Sequence, residues 1–233
     1  MTSTRVGART QPVDRDALET RLLTAGMWLA IAAGVVVTVG GIGNHFALDD
    51  AIPDLDAGDE GSLNNWLSVV LSFTAGLAAV LHSVILPPHR LPFALAGAIF
   101  VFLSLDDLLT LHERVATNVD IEHIETVIFA PVYGLGLIFA WGLARDVPAR
   151  CGRMLRTGLV LLVAAIVVDF GASFTADLRD EGTEWPHFTR IAIEEGLEVS
   201  GWTLVSTALV VVLCLALLPS GSATRSTPVA ARR

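Results

Sequence analysis

Apolar residues run along this chain in six blocks separated by short polar segments: Leu22–Phe46, Asn65–Leu86, Leu91 to about Val115, Ile124–Ala144, Thr157–Asp177 and Ile191–Leu218. A helix needs about 20 residues to cross a hydrocarbon core of about 30 Å, so each block is long enough to span a bilayer. The fourth block and the centre of the first are free of charge, whereas the third, fifth and sixth are not. A segment in lipid has to satisfy its own backbone hydrogen bonds, which makes these blocks helices. The short alternating segments of a membrane barrel do not occur. The pattern predicts an all-α, polytopic membrane protein: a six-transmembrane-helix bundle over residues 19–219. Residues 1–18 and 220–233, rich in Ser, Thr, Ala, Arg and Pro, read as disordered tails.

Composition agrees: 53% of the 233 residues are hydrophobic, and the mean hydropathy is +0.62. Charge orients the bundle. The chain has no lysine, and twelve of its fifteen arginines fall before span 1, after span 6, or in the loops after spans 2 and 4. Only Arg114, Arg179 and Arg190 fall on the opposite side. The positive-inside rule then places both termini in the cytoplasm of a plasma-membrane protein. The net charge of −9 gathers outside, in the loops Asp49–Glu60 and Asp177–Glu184. Nothing in this distribution suits nucleic acid. The first block exceeds a usual signal-peptide core and lacks an A-x-A site, so it reads as a retained span. Cys151 and Cys214 both map to the cytoplasmic side, where a disulfide is not expected.

The chemistry lies in the acids inside the spans. Span 3 carries Asp106, Asp107 and Glu113, with His112 beside them; span 5 carries Asp169; span 6 carries Glu194, Glu195 and Glu198. An ionisable side chain at the bilayer centre costs about 2.5–3.5 kcal/mol on insertion scales, which makes each a functional candidate. The topology puts all seven acids in the outer half of the bilayer. At about 100° per residue, Asp106, Thr110 and Glu113 share a ridge of span 3, while His112 points away. Glu194 and Glu198 are one turn apart on span 6, with Glu195 beside them. Asp106, Glu113, Glu194 and Glu198 are the expected core members; Asp107, His112, Asp169 and Glu195 come second.

Three readings compete for this cluster. Carboxylates with a histidine suit a divalent metal such as zinc, iron or manganese. The chain lacks the Glu-x-x-His pairs of bundle di-metal sites, though His45 and His123 could supply a further ligand. A metal-activated water would then act on a lipid or an extracytoplasmic small molecule. Alternatively, the same acids could carry protons in a coupled transporter. Finally, Arg114 and Arg190 could neutralise some of them, leaving a network that fixes the bundle or binds a partner. The lipid bilayer is the partner common to all three. Trp66, Trp141, Trp185 and Trp202 read as interfacial anchors. Gly34, Gly40, Gly41, Gly43, Gly134 and Gly136 read as close-packing positions.

Three patches, DEGSLNNWLSVVLSF, FVFLSLDDLLTLHERV and IEEGLEVSGW, resemble a family of uncharacterised multi-pass bacterial membrane proteins. The family carries an acidic pair and a His-Glu pair in one helix, and a Glu-Glu-x-x-Glu run in its last. The resemblance runs from about Glu60 to Trp202 and implies no established activity. Asp107 stands where the resemblance implies Glu, which shortens the reach of that carboxylate. The ceramidase-like zinc hydrolases are a poorer match. Ser68 and Asp106 can be aligned with them, but the His-x-x-x-His pair and a seventh helix are missing.

Overall fold

The computed structural model describes residues 14–56, 62–85, 90–111, 124–176 and 184–218. His112, Glu113, Arg114 and His123, and almost all of both tails, lie outside these residues. The described chain forms helices α1 (Arg15–Leu48), α2 (Leu63–Ile85), α3 (Arg90–Leu109), α4 (Ile124–Leu143), α5 (Ala149–Ala176) and α6 (Glu184–Leu217), with a 3-10 turn at Pro53–Leu55. No strand occurs among the described residues. Helices α1, α2 and α3, the Ala149–Asp169 part of α5 and the His187–Leu217 part of α6 are each long and apolar enough to cross a membrane. In α4 the corresponding apolar stretch, Phe129–Leu143, is shorter.

Local chemistry sets the ends of α1. The helix begins well before the first apolar block because Asp14 caps it: its carboxylate accepts the Ala17 amide at 3.1 Å. It stops where Asp49 and Asp50 turn to φ 53 and φ 55. The Asp50 amide donates to the Asn44 carbonyl at 3.0 Å. The buried Asn44 side chain then donates to the Ile52 carbonyl and accepts the Ile52 amide, each at 3.0 Å. This two-point clamp folds the acidic connection back over the helix end. At the opposite end of the bundle, Arg15 donates to the Leu218 carbonyl, and Arg150 to the Thr20 hydroxyl at 2.6 Å. The buried Cys151 thiol approaches Glu19 at 3.7 Å. These contacts join α1, α5 and α6.

Helix α6 is the hub. Helices α1, α2 and α5 pack along it, α3 packs along α2, and α4 rests on α3 with only a light touch on α5. From Val199 to Val212 nearly every residue of α6 is buried. Three reciprocal glycine crossings bring the backbones together. A Cβ on Gly34 would sit 2.9 Å from the Gly196 carbonyl oxygen, and one on Gly196 would sit 2.9 Å from that of Gly34. The same holds between Gly158 and Gly201 at 2.8 and 3.0 Å, and between Gly76 and Gly97 at 2.9 and 2.8 Å. Small residues at such points let helices approach and gain dispersion contacts where no hydrophobic drive joins them. The packing expectation therefore holds for Gly34, and for Gly136, which lies against Ile99. It fails for Gly43 and Gly134, where an added Cβ would meet nothing within 4 Å.

Gly201→Val would press a side chain onto Leu162 and the Gly158 carbonyl. Overpacking of this kind costs about 1–3 kcal/mol. We expect a lower melting temperature for purified Gly201→Val in detergent and an unchanged one for Gly134→Ala. Equal stability of the two variants would contradict the crossing.

Candidate functional site

The two aspartates of α3 lie in its last turns, and the helix ends two residues later. Thr110 has φ 50, a left-handed conformation that is costly for a β-branched residue. Helix α3 stops at Leu109, so the expected ridge is interrupted at Thr110, and Glu113 lies outside the described residues. Neighbouring positions on a helix point about 100° apart, and the aspartate pair divides accordingly. Asp106 is fully buried and accepts a hydrogen bond from the Tyr133 hydroxyl of α4 at 3.4 Å. Asp107 faces a cavity.

That cavity, about 540 Å³, lies between α3, α4, α5 and α6. Its acidic lining is Asp107, Asp169, Glu194 and Glu198. Arg190 organises two of these. One turn before Glu194 on α6, it donates Nη1 to Asp169 Oδ1 at 3.1 Å and to Glu194 Oε2 at 3.3 Å, tying α5 to α6. Among the described residues it is the cation at this end of the bundle. Glu198 accepts from Trp202 Nε1 at 3.3 Å. From α2 the Ser68 hydroxyl also approaches Glu198, but without completing hydrogen-bond geometry, so that hydroxyl is unpartnered. One turn away on α2, Asn64 is likewise unpartnered at both ends of its amide. Ser68 is 2% and Asn64 1% exposed.

Glu195 stands on the next ridge of α6, within electrostatic reach of Glu198, Glu194 and Asp107, but it does not line the cavity. Tyr133 is in similar reach of Asp107, Asp106 and Glu198. The remaining wall is apolar and aromatic. Trp202 meets Phe100 edge-on with centroids 5.3 Å apart, and Phe129 lies nearly parallel to Phe102 at 6.2 Å.

The structure thus brings four of the eight expected residues to one cavity and sets Asp106 and Glu195 behind its wall. His112 and Glu113 lie outside the described residues. Of the two aspartates of α3, Asp107 faces the space and Asp106 does not. Among the described residues no group of three or more His, Cys, Asp or Glu side chains is arranged to hold a metal ion. His45, considered as a further ligand, instead contacts Asp50 at 2.9 Å and stacks on Phe188.

Trp202 was expected at an interface but is buried. Its position one turn from Glu198 was the signal for its real role. Trp66 and Trp141 are exposed, as anchors would be. Tyr133 was missed, although a chain with one tyrosine, placed mid-helix among apolar residues, marks that position for a hydrogen bond.

Arg190→Gln would leave Asp169 and Glu194 facing each other without a cation. We expect a lower melting temperature, restored in part when Glu194→Gln is added, because the second change removes the repulsion that the first exposes. Additive losses in this double-mutant cycle would show that the contact carries no coupling.

No curated protein and no solved structure matches this chain. A family profile does, over residues 22–213, and that range takes in all three resembling patches. The chain therefore belongs to the family described as a domain of unknown function, DUF8692.

Proposed function

We propose that this protein is an integral membrane protein that binds a small molecule in the acid-lined cavity between α3, α4, α5 and α6. On this reading it crosses the plasma membrane six times, with both termini in the cytoplasm and the cavity in the outer half of the bilayer. Five apolar helices of sufficient length support the membrane assignment, and α4 supplies the sixth span with its 20 residues. The arginine distribution supports the orientation. The outward faces of α1, with Trp28, Val35, Val36 and Val39 exposed, suit contact with lipid.

One observation carries the binding reading: Asp107, Asp169, Glu194 and Glu198, scattered along the chain, line a single cavity. Its volume falls in the range of about 300–1,000 Å³ common for small-molecule sites. The bound molecule could be transported or chemically altered, and the same carboxylates would serve either use. A divalent metal would need a tighter ligand set than the described carboxylates form.

Glu198→Gln separates a binding site from a structural network. Glutamine keeps the shape and the acceptor for Trp202, and removes a carboxylate that has no ion-pair partner among the described residues. Sites held ready for a ligand trade stability for function, so the variant should melt at the same temperature as the parent or higher. A clear drop would favour the structural reading. Elemental analysis of the same preparations tests the metal: about one zinc, iron or manganese per chain, lost in Glu198→Gln, would assign the cavity to a metal ion.

A further inference from the structure

We infer that the ligand is an organic cation: an amphipathic molecule with an ammonium head and a hydrocarbon body, reaching the cavity through the seam between α4 and α5. The inference rests on the binding reading above and adds the class of ligand.

Charge decides the sign. Arg190 is engaged by Asp169 and Glu194, whereas Glu198 meets two neutral donors, the indole N–H of Trp202 and the approaching Ser68 hydroxyl, and no cation among the described residues. The unpartnered Ser68 hydroxyl, almost wholly buried, points to the same carboxylate.

The wall decides the shape. Phe100, Phe129, Tyr133 and Trp202 line the space together with Glu198. Aromatic faces attract alkylammonium groups through their quadrupoles, more strongly when the pair is desolvated. A bare proton or metal ion would leave this aromatic lining and most of the roughly 540 Å³ unused. An anion would meet the carboxylates of Asp169, Glu194 and Glu198 with, among the described residues, Arg190 as the cation beside them. Leu137, Leu162 and Ile166 offer a hydrocarbon chain an apolar surface.

The packing decides the route. Helix α4 rests on α3 and barely touches α5. Asp169 lines the cavity from α5 with 53% of its side chain exposed. It therefore stands at the mouth, where it would meet an ammonium group first.

Cysteine modification in nanodiscs tests the class. The full-length chain would carry Gly134→Cys, or separately Ala130→Cys, in a Cys151→Ala, Cys214→Ser background. Both reporters line the cavity, and Gly134 has open space for a side chain. The rates of a trimethylammonium-ethyl and a sulfonatoethyl methanethiosulfonate would be compared, each normalised to its rate with a free thiol. An acidic cleft concentrates cations by roughly tenfold or more, so the cationic reagent should be faster by at least that factor. Adding Asp107→Asn and Glu198→Gln should abolish the difference. Decyltrimethylammonium should slow modification, and decyl sulfate should not. Equal normalised rates, a faster anionic reagent, or protection by zinc ions alone would overturn the organic-cation class. No reaction at either cysteine with either reagent would instead overturn the binding cavity itself.

Discussion

A helix that carries Glu194, Glu195 and Glu198 cannot turn them to hydrocarbon, so α6 has to be wrapped by protein. The wrapping is achieved by close approach. Gly196 meets Gly34 of α1 on one side, and Gly201 meets Gly158 of α5 on another. Between them the Ser200 hydroxyl donates to the Ala30 carbonyl of α1 at 3.1 Å. With α2 along a third side, α6 is enclosed over most of its length. The glutamates then project into protein, where their fields are weakly screened and their partners are fixed. Once α6 is held in this way, the positions of α1, α2 and α5 follow, and α3 follows from α2.

Helix α4 escapes this constraint, and the cavity is the consequence. It crosses no partner at a reciprocal glycine: Gly134 faces open space, and Gly136 meets only a side chain of α3. Nothing draws it against α6. The gap that remains is bordered by carboxylates from three other helices. Arg190 divides these into a paired set, Asp169 and Glu194, and the unpaired Glu198. The pairing contributes to holding α5 against α6, so part of the acidic cluster is structural. Glu198 is the residue for which that explanation fails. A buried carboxyl with no cation beside it among the described residues is costly to hold, and its neighbour Ser68 approaches it without completing hydrogen-bond geometry.

Much of this is legible in the chain itself. Apolar runs of membrane length mark helices without tertiary information, and each of the six runs forms a helix over most of its described residues. The convergence of acids from α3, α5 and α6 followed from counting arginines and fixing direction. The exact lining did not follow, and the reasons are local. Helical phase assumed that α3 continued past Asp107, but Thr110 adopts a left-handed conformation that no periodicity announces. Asp106 and Asp107 are chemically alike, and the packing of α3 against its neighbours, Tyr133 of α4 among them, sets which one faces the cavity. Trp202 followed the habit of tryptophans near a span end, while its neighbour Glu198 reassigned it to the interior. Arg190 was more tractable, since a cation one turn from Glu194 is visible in the chain. Its second partner on α5 required the fold.

Helix α4 stands off α6 and leaves a carboxylate-lined space bordered by Glu198 and Trp202. An electron cryo-microscopy structure of the full chain in lipid nanodiscs measures this most directly. The predicted map shows Glu198 against the Trp202 indole, Asp107 facing the same space, and Arg190 between Asp169 and Glu194. A map in which α4 packs flush against α5 and α6, with Phe129 and Tyr133 filling the gap and Glu198 paired to an arginine, would contradict it.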